Sequence, residues 1–462
     1  MRDTMDRVYN LFEYSIPQGY DGDIEELDAF LTDIWQNREK SDFSWWQGID
    51  DDISQEEQRF IKLLRKHGTI RANKYVGVIR FKGVTINLLP KIFDNGQSTP
   101  HSDTDIEAIQ GHILWWLSYC SKFRFPKSRS SYGSVKSDFF EVLIYIFASY
   151  TRRVLSNMIH QNYEEVHNEL GYMKGRLDVN GYIRDNVVSG NWQRLNCIYD
   201  SFEVDNNFNL IIKYVSRLLL NYSSSRDSRK YLREILFMLD EVSDHRVTLL
   251  DCQRVKLNPL FKDMYPILDY CKLFLGNSTV FSYKDQFDVF ALLLPMEYIF
   301  EDFIYGFINQ EIDVNVRKQV GNSYLTTDKV FQLKPDLVIE SQGERSIADT
   351  KYKKIYNNDS RDKKRGISQQ DMYQMLAYAV RNKVRYIKLL YPATVMDSED
   401  EENVHFEIRD EFTEDGVITI DAFKLPIIAQ NWRELDLKHG LQKGFDKVTI
   451  CLKENLIRIF ES

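Results

Sequence analysis

The chain of 462 residues has few of the features that build small stapled, metal-bound or membrane-embedded proteins. Its five cysteines, at 120, 197, 252, 271 and 451, include no C-x-x-C pair, which argues against structural zinc and against a disulfide framework. No run approaches the roughly 18 apolar residues of a membrane helix, and Met1-Arg2-Asp3-Thr4-Met5-Asp6-Arg7 carries no apolar signal region. A cytoplasmic protein without membrane contact is expected. No G-x-x-x-x-G-K-[S/T] loop occurs, so a nucleotide would have to be bound by another polypeptide. Positive charge is not in excess either. The net charge of −9 argues against a chain that coats nucleic acid by itself, because non-specific affinity comes mainly from neutralising phosphates.

What is present is apolar and aromatic: 43% hydrophobic residues with 27 Tyr and 28 Phe, enough for more than one core. The length suggests about three units. The expected fold class is multidomain, α+β or α/β. Residues 1–105 form an N-terminal β-containing domain, in which Tyr75 to Phe93 alternates as a hairpin turning at Lys82-Gly83. Residues 106–283 are mainly helical, with apolar spacing near 3.6 over Ile106 to Lys122, Ser137 to Ile159, Asn207 to Tyr222 and Ser228 to Leu239. Residues 284–462 form the third domain. In the middle block, Asp205 or Asn206 reads as the cap of the helix that follows, which is preferred to a catalytic role for either.

The most informative stretch is Lys334-Pro335-Asp336-Leu337-Val338-Ile339, followed by Asp349-Thr350-Lys351. The polar turn Ser341 to Arg345 makes these the two strands of a hairpin, Leu333 to Ile339 and Ser346 to Tyr352. Asp349 and Lys351, two positions apart, project from one face of a strand, beside Asp336 on its neighbour. Asp and Lys are common, and this spacing also arises by chance. A charge at the end of an apolar strand is nevertheless hard to explain by packing. Two carboxylates can hold Mg²⁺ beside a phosphate, where the ion polarises the phosphoryl oxygen and acidifies water. Lys351 would hold or deprotonate that water, or stabilise the charge developing on phosphate.

The surroundings support this reading. Ser368 caps a helix in which Gln374 and Tyr378 share a face, and Val384 to Tyr391 is a strand ended by Pro392. Upstream, Phe287 to Asn309 has helical spacing and carries Glu297 and Glu301, and Asp313 to Val320 is a plausible strand. The order helix, strand, strand, strand, helix, strand resembles the PD-(D/E)xK endonuclease superfamily. That resemblance implies an αβββαβ mixed sheet flanked by helices, with Asp336, Asp349, Lys351 and Glu301 around the metal. Asp336, Asp349 and Glu301 would be its ligands, with Glu297, one turn away, as the alternative to Glu301. Gln374 and Tyr378 match a Q-x-x-x-Y helix found beside the site in part of that superfamily.

Directly after the second motif, Lys353, Lys354, Arg361, Lys363, Lys364 and Arg365 make a basic run, interrupted by Asp359 and Asp362, which is expected to contact DNA. The acidic cluster Asp397, Glu399, Asp400, Glu401 and Glu402 reads as a surface loop. Before the N-terminal hairpin, the basic segment with Arg65, Lys66, Arg71 and Lys74 reads as an exposed tip or loop.

Several blocks together resemble the McrC family, nuclease subunits of McrBC-type, modification-dependent (type IV) restriction systems. They are Gly77-Val78-Ile79 with Leu89-Pro90-Lys91-Ile92, Lys174-Gly175-Arg176, Phe202 through Asp205, Asn206 and Asn209 to Lys213, Asp349-Thr350-Lys351-Tyr352-Lys353, and Asp371 through Tyr378. The resemblance implies a Mg²⁺- or Mn²⁺-dependent DNA endonuclease and an McrB-like AAA+ GTPase as a hexameric ring. It also implies GTP bound by that partner, and double-stranded DNA with modified cytosine as substrate. Such subunits insert an N-terminal projection into the ring and stimulate GTP hydrolysis, a task for which Arg65, Lys66, Arg71 and Lys74 are the expected contacts. Two other functions fit the residues: a regulatory scaffold with a vestigial site, and an independent nuclease in repair or phage defence.

Overall fold

In the computed structural model, residues 7–37, 58–96, 102–120, 139–276, 289–318, 323–341, 344–355, 362–397, 403–410, 416–435 and 441–461 are described. They form a mixed α+β structure with several separate sheets. The chain divides into two compact units, Met1–Val142 with Asn277–Ser462, and Leu143–Gly276. The three-part division expected above maps onto them with its helical part shared, residues 106–142 falling in the first unit and 143–276 in the second. All five thiols are free, and no described helix is long and apolar enough to cross a membrane.

The first unit begins with a four-stranded sheet in the order Arg7–Phe12, Val84–Leu89, Tyr75–Phe81, Val289–Pro295. Lys82 and Gly83 both adopt positive φ, +49° and +76°, which is the two-residue turn that matches the twist of a hairpin. The helix Ile24–Asn37 puts Leu27, Phe30, Leu31, Ile34 and Trp35 on one stripe and buries it in the same core as Tyr75, Ile79, Ile86 and Leu88. Gly77, at φ +141°, lies against the last strand. A Cβ there would stand 2.0 Å from the carbonyl oxygen of Leu292, so only glycine lets the two strands pair.

The segment Phe287 to Asn309, expected as one helix, is a strand followed by a helix. Val289–Pro295 joins the N-terminal sheet and Met296–Glu311 is helical. A short continuous apolar run does not separate strand from helix by periodicity. Pro295, standing just outside the helix, marks the change. The helix Met296–Glu311 crosses Asp103–Tyr119 at Gly306, where a Cβ would come 1.8 Å from the carbonyl oxygen of Tyr119.

The second sheet of this unit is six-stranded, in the order Asn315–Lys318, Leu337–Ser341, Glu344–Thr350, Tyr386–Pro392, Gly416–Leu425, Val404–Asp410. Its centre is parallel. Glu344–Thr350 pairs parallel with Tyr386–Pro392, which pairs parallel with Gly416–Leu425; the other pairings are antiparallel. The helix Gln369–Asn382 is the crossover that a parallel pair requires, and Met375, Tyr378 and Ala379 enter the sheet's core from it. The last two strands, Gly416–Leu425 and Val404–Asp410, lie outside the elements expected from the sequence. Of the acidic cluster, Asp397 alone is described, and it pairs with Lys424 at 2.8 Å.

The second unit contains the helices Asn207–Tyr222, Arg226–Met238 and Tyr265–Gly276 and a long antiparallel ribbon, Asn162–Leu170 with Leu195–Glu203. The ribbon was not anticipated, because both its faces are largely solvated and it lacks the apolar alternation of a half-buried strand. Asn206 caps the helix that follows: its Oδ1 accepts from Asn209 N at 3.2 Å and its Nδ2 donates to the His160 carbonyl at 3.1 Å. Asn209 donates to the same carbonyl at 2.7 Å, and Lys213 donates to the carbonyls of Asp240 and Val242. This block therefore ties loops to a helix.

Candidate active site

Asp336 stands just before the strand Leu337–Ser341, and Asp349 sits near the end of the adjacent strand, where Leu337 pairs with Ala348. Asp336 Oδ2 accepts from Thr350 N at 2.8 Å and from Thr350 Oγ1 at 2.6 Å. The middle residue of D-T-K thus anchors the first carboxylate on the neighbouring strand. Thr350 carried no sequence signal beyond lying between the two charges.

Asp349 is 1% exposed and its Oδ2 is 2.6 Å from Lys351 Nζ. Lys351 also donates to Gln374 Oε1 at 3.0 Å; Gln374 Nε2 donates to the Tyr378 hydroxyl at 2.8 Å; and that hydroxyl donates to the Lys334 carbonyl at 3.0 Å. The i, i+4 pair on the helix therefore links the ammonium to the backbone directly ahead of Pro335-Asp336.

Electrostatically the cluster is short of positive charge. Burial, then the charge of Asp336, pushes the Asp349 carboxyl up to about 8, with Lys351 pulling the other way. Asp336 is also raised by burial, against the Thr350 hydrogen bonds and the charges of Lys351 and Lys318. Lys351 is raised by Asp349 and then Asp336, against the effect of burial. The short contact to Lys351 favours an ionised Asp349, whereas burial and Asp336 oppose it. The Lys351 ammonium does not offset burial and the neighbouring carboxylate, so both acids stay raised. That deficit fits a divalent, oxygen-seeking cation at Asp336 and Asp349, since Mg²⁺ commonly takes one or two carboxylates. Among the described residues no three His, Cys, Asp or Glu side chains gather into a metal-holding set.

Glu301 is buried, 8% exposed, and its Oε1 lies 3.5 Å from Lys318 Nζ. Lys318 also pairs with the fully buried Asp302 at 2.7 Å, and it sits opposite Leu337, beside Asp336. Lys318 and Asp302 were missed in the sequence because their partners lie on elements separated by turns of unknown geometry. Glu297, the alternative to Glu301, is exposed, and its charge acts on Glu13, Tyr14, Lys91 and Tyr352.

Those residues form a buried junction behind the motif. Glu13 Oε2 accepts from Lys91 N at 3.0 Å and from the Tyr352 hydroxyl at 2.9 Å. Lys91 Nζ donates to the Tyr352 carbonyl at 2.7 Å and lies 4.4 Å from the centre of its ring. Burial pushes the Glu13 carboxyl up to about 7, opposed by Lys91. The residue after Lys351 is thus held by the end of the N-terminal hairpin.

The expected DNA contacts divide. Lys353 pairs with both oxygens of Asp371 at 2.9 Å, and Lys354 donates to the Asp94 carbonyl at 3.2 Å. Lys353 remains half exposed and Lys354 is partly buried. Lys363, Lys364 and Arg365 lie exposed on a turn closed by Asp362, whose carboxylate accepts from Lys364 N and Gly366 N, each at 2.9 Å. Arg361 lies outside the described residues. Of the expected partner contacts, Arg65 and Lys66 are exposed on the turn Arg65–His67, between the strands Ile61–Leu64 and Thr69–Ala72. Arg65 pairs with Asp28 at 2.7 Å and Arg71 donates to the Tyr14 carbonyl at 2.8 Å, while Lys74 is half-buried.

Fold and site together define a two-unit α+β protein with a partly buried Asp-Asp-Lys cluster at the ends of adjacent strands of a mixed sheet. The model of the McrBC 5-methylcytosine restriction system component family matches residues 70–392, most of the chain, and the chain belongs to that family. A chain of the refined half-complex from the tetradecameric assembly of Thermococcus gammatolerans McrB AAA+ hexamers with bound McrC has the same fold, with a TM-score of 0.65. It is 18% identical, and the match covers 96% of this chain and 100% of that one. A chain in the cryo-EM structure of the Thermococcus gammatolerans McrBC complex aligns at 18% identity with a TM-score of 0.48, over 67% of this chain and 89% of that one. No curated protein matches the chain.

Proposed function

We propose that this chain is the DNA-cleaving subunit of a GTP-driven restriction complex, with a PD-(D/E)xK nuclease core in residues 284–462. The observation that carries the reading is the pair of carboxylates, Asp336 and Asp349, at neighbouring positions of paired strands, with Asp349 buried and the Lys351 ammonium 2.6 Å from it. Asp336 and Asp349 would hold Mg²⁺ or Mn²⁺, which when bound withdraws charge from a phosphate and acidifies water. In hydrolysis a new P–O bond forms to water and a P–O bond to a sugar oxygen breaks. Lys351 is placed to stabilise the charge gathering on phosphate or to orient the water, and Gln374 and Tyr378 keep it aimed.

Membership of a 5-methylcytosine restriction family supports DNA with modified cytosine as substrate. The similar solved chain comes from an assembly of McrB AAA+ hexamers, which supports a AAA+ GTPase ring as partner, with GTP bound there. For the ring contact the ribbon of the second unit is better suited than Arg65, Lys66, Arg71 and Lys74. It and its connecting segment bare Tyr163 and Phe202, with ring centres 5.0 Å apart, together with Tyr172, Met173, Val188 and Trp192. Tyr163 and Phe202 lie at one end of the ribbon and the other four on the connection beyond its far end, and exposed apolar side chains of this size suit protein-binding surfaces.

The test is cleavage of methylated and unmethylated plasmid with Mg²⁺ and GTP, by this chain alone and with the ring GTPase, with Asp349→Ala as control. Cleavage restricted to methylated DNA, partner and GTP, and abolished by the substitution, supports the proposal. Cleavage by the chain alone supports an independent nuclease. GTPase stimulation without cleavage leaves the regulatory scaffold as the function.

A further inference from the structure

The segment immediately ahead of Pro335-Asp336 has an unusual surface. Ser323–Tyr324 and Gln332–Leu333 pair antiparallel, and Leu325 N donates to the Phe331 carbonyl at 2.9 Å. Inside that small hairpin the Thr326 hydroxyl donates to the Val330 carbonyl at 2.9 Å and accepts from Val330 N at 3.0 Å. The turn is therefore ordered, yet it holds its apolar side chains in solvent: Leu325 is 51%, Val330 46% and Phe331 68% exposed. Lys329 and Phe331 also adopt left-handed backbone, φ +61° and +57°, a conformation unfavourable for a side-chain-bearing residue and for an aromatic one above all. Strain and bared apolar surface in one turn have no counterpart gain in the unit's own core.

The location gives the turn a use. Its second strand runs into Lys334, whose carbonyl receives the Tyr378 hydroxyl, and then into Asp336. Its first strand is fastened by Arg381, which donates to the Tyr324 carbonyl from the helix that carries Gln374. Exposed cations surround it: Lys329 and Lys334 on the segment, Arg381 and Lys383 at the end of the helix, against Asp328 on the turn.

We infer that the hairpin Ser323–Leu333 is a duplex-DNA contact, which places Leu325 and Phe331 in a groove beside the phosphate to be cut. The inference rests on the nuclease reading and deepens it. Apolar side chains that enter a groove and wedge base steps recur in DNA-binding proteins, and cations on either side complement the phosphates of the two strands. A protein surface would also bury the apolar tip, but it gives no reason for cations around it.

Phe331→Gly is the discriminating variant, because it removes the ring and relieves the left-handed backbone at once; Leu325→Ala is its companion. Each is made in full-length protein, both in the wild-type background for cleavage and in the Asp349→Ala background for binding, with the ring GTPase present. The probe is a methylated duplex with a fluorescent adenine analogue. The expected result is at least a tenfold weaker duplex affinity, a smaller fluorescence change, and a cleavage loss that falls mainly on KM. Melting temperature should not fall, and ring binding, GTPase stimulation and sedimentation should be unchanged. Wild-type affinity and cleavage in both variants overturn the inference and leave the nuclease reading standing. Loss of ring binding, or of self-association, assigns the hairpin to a protein interface and also overturns it. If wild type binds DNA through this hairpin but never cleaves it, the nuclease reading fails and the DNA contact survives.

Discussion

At the scale of residues, the site depends on one ammonium between two carboxylates and a helix side chain. Lys351→Ala should lower cleavage by roughly 10²–10³-fold, the usual effect of removing one preorganised donor from a developing charge. Asp336→Ala and Asp349→Ala should abolish it. GTPase stimulation should stay intact in all three, and a paired assay of the two activities checks this; joint loss would mean misfolding or a single shared site. Gln374→Ala leaves Lys351 paired with Asp349 but frees it from the helix. A loss of roughly 10- to 100-fold in kcat with DNA affinity unchanged is expected from a misplaced but present group. The residue types Asp336, Asp349, Lys351, Gln374 and Tyr378 were readable because the motifs are local in sequence. Lys318 was not, since its partners Glu301 and Asp302 reach it only when a helix packs over a strand edge.

At the scale of elements, two packing sites invite tests. Gly77→Ala should destabilise the protein by at least roughly 2 kcal/mol, because a Cβ collides with a strand backbone and the positive φ is strained as well. Chemical denaturation would measure it, and an unchanged midpoint would contradict the pairing with Val289–Pro295. His112, fully buried on the helix Asp103–Tyr119, accepts from Ala429 N through Nε2 at 3.1 Å and donates from Nδ1 to the Ala108 carbonyl at 2.7 Å. Burial lowers its pKa from 6.5 to about 4. The folded state thus resists a proton that the unfolded chain accepts, so this contribution is full above pH 6.5 and is lost as pH falls toward about 4. The loss amounts to roughly 3 kcal/mol over that window. Thermal melts at successive pH values should show a steeper acid decline in wild type than in His112→Gln. The hairpin, the caps and most helices were legible from local pattern. The ribbon and the strand Val289–Pro295 were not, because a solvated ribbon lacks alternation and a buried strand lacks polar contrast.

At the scale of the whole molecule, the N-terminal sheet supports the proposed nuclease site from two directions. Its edge strand Val289–Pro295 runs directly into the helix bearing Glu301, and its hairpin ends in Lys91, which grips Tyr352 beside Lys351. Lys91→Met should reduce cleavage about tenfold by loosening that turn while ring binding persists, as measured by cleavage rate and co-sedimentation. Full cleavage in this variant would show that the junction only holds the unit together. The second unit presents the opposite case. Replacing Trp192 and Val188, 70% and 78% exposed, by serine should weaken ring association without shifting the melting temperature.

The sequence by itself determined the chemistry. D-x-K on one strand, P-D on the next and Q-x-x-x-Y on a helix are spacings within single elements or one hairpin, and strand and helix periods fix which of those side chains share a face. Tertiary structure decided which charges remain available. Lys353 and Lys354 form part of a basic run in the sequence, and packing gives them Asp371 and the Asp94 carbonyl as hydrogen-bond partners. Glu301 is an expected metal ligand in the sequence, and packing sets Lys318 3.5 Å from it. The partner of a long, flexible charged side chain is set by which distant segment packs within a few ångströms of it, and no local period records that.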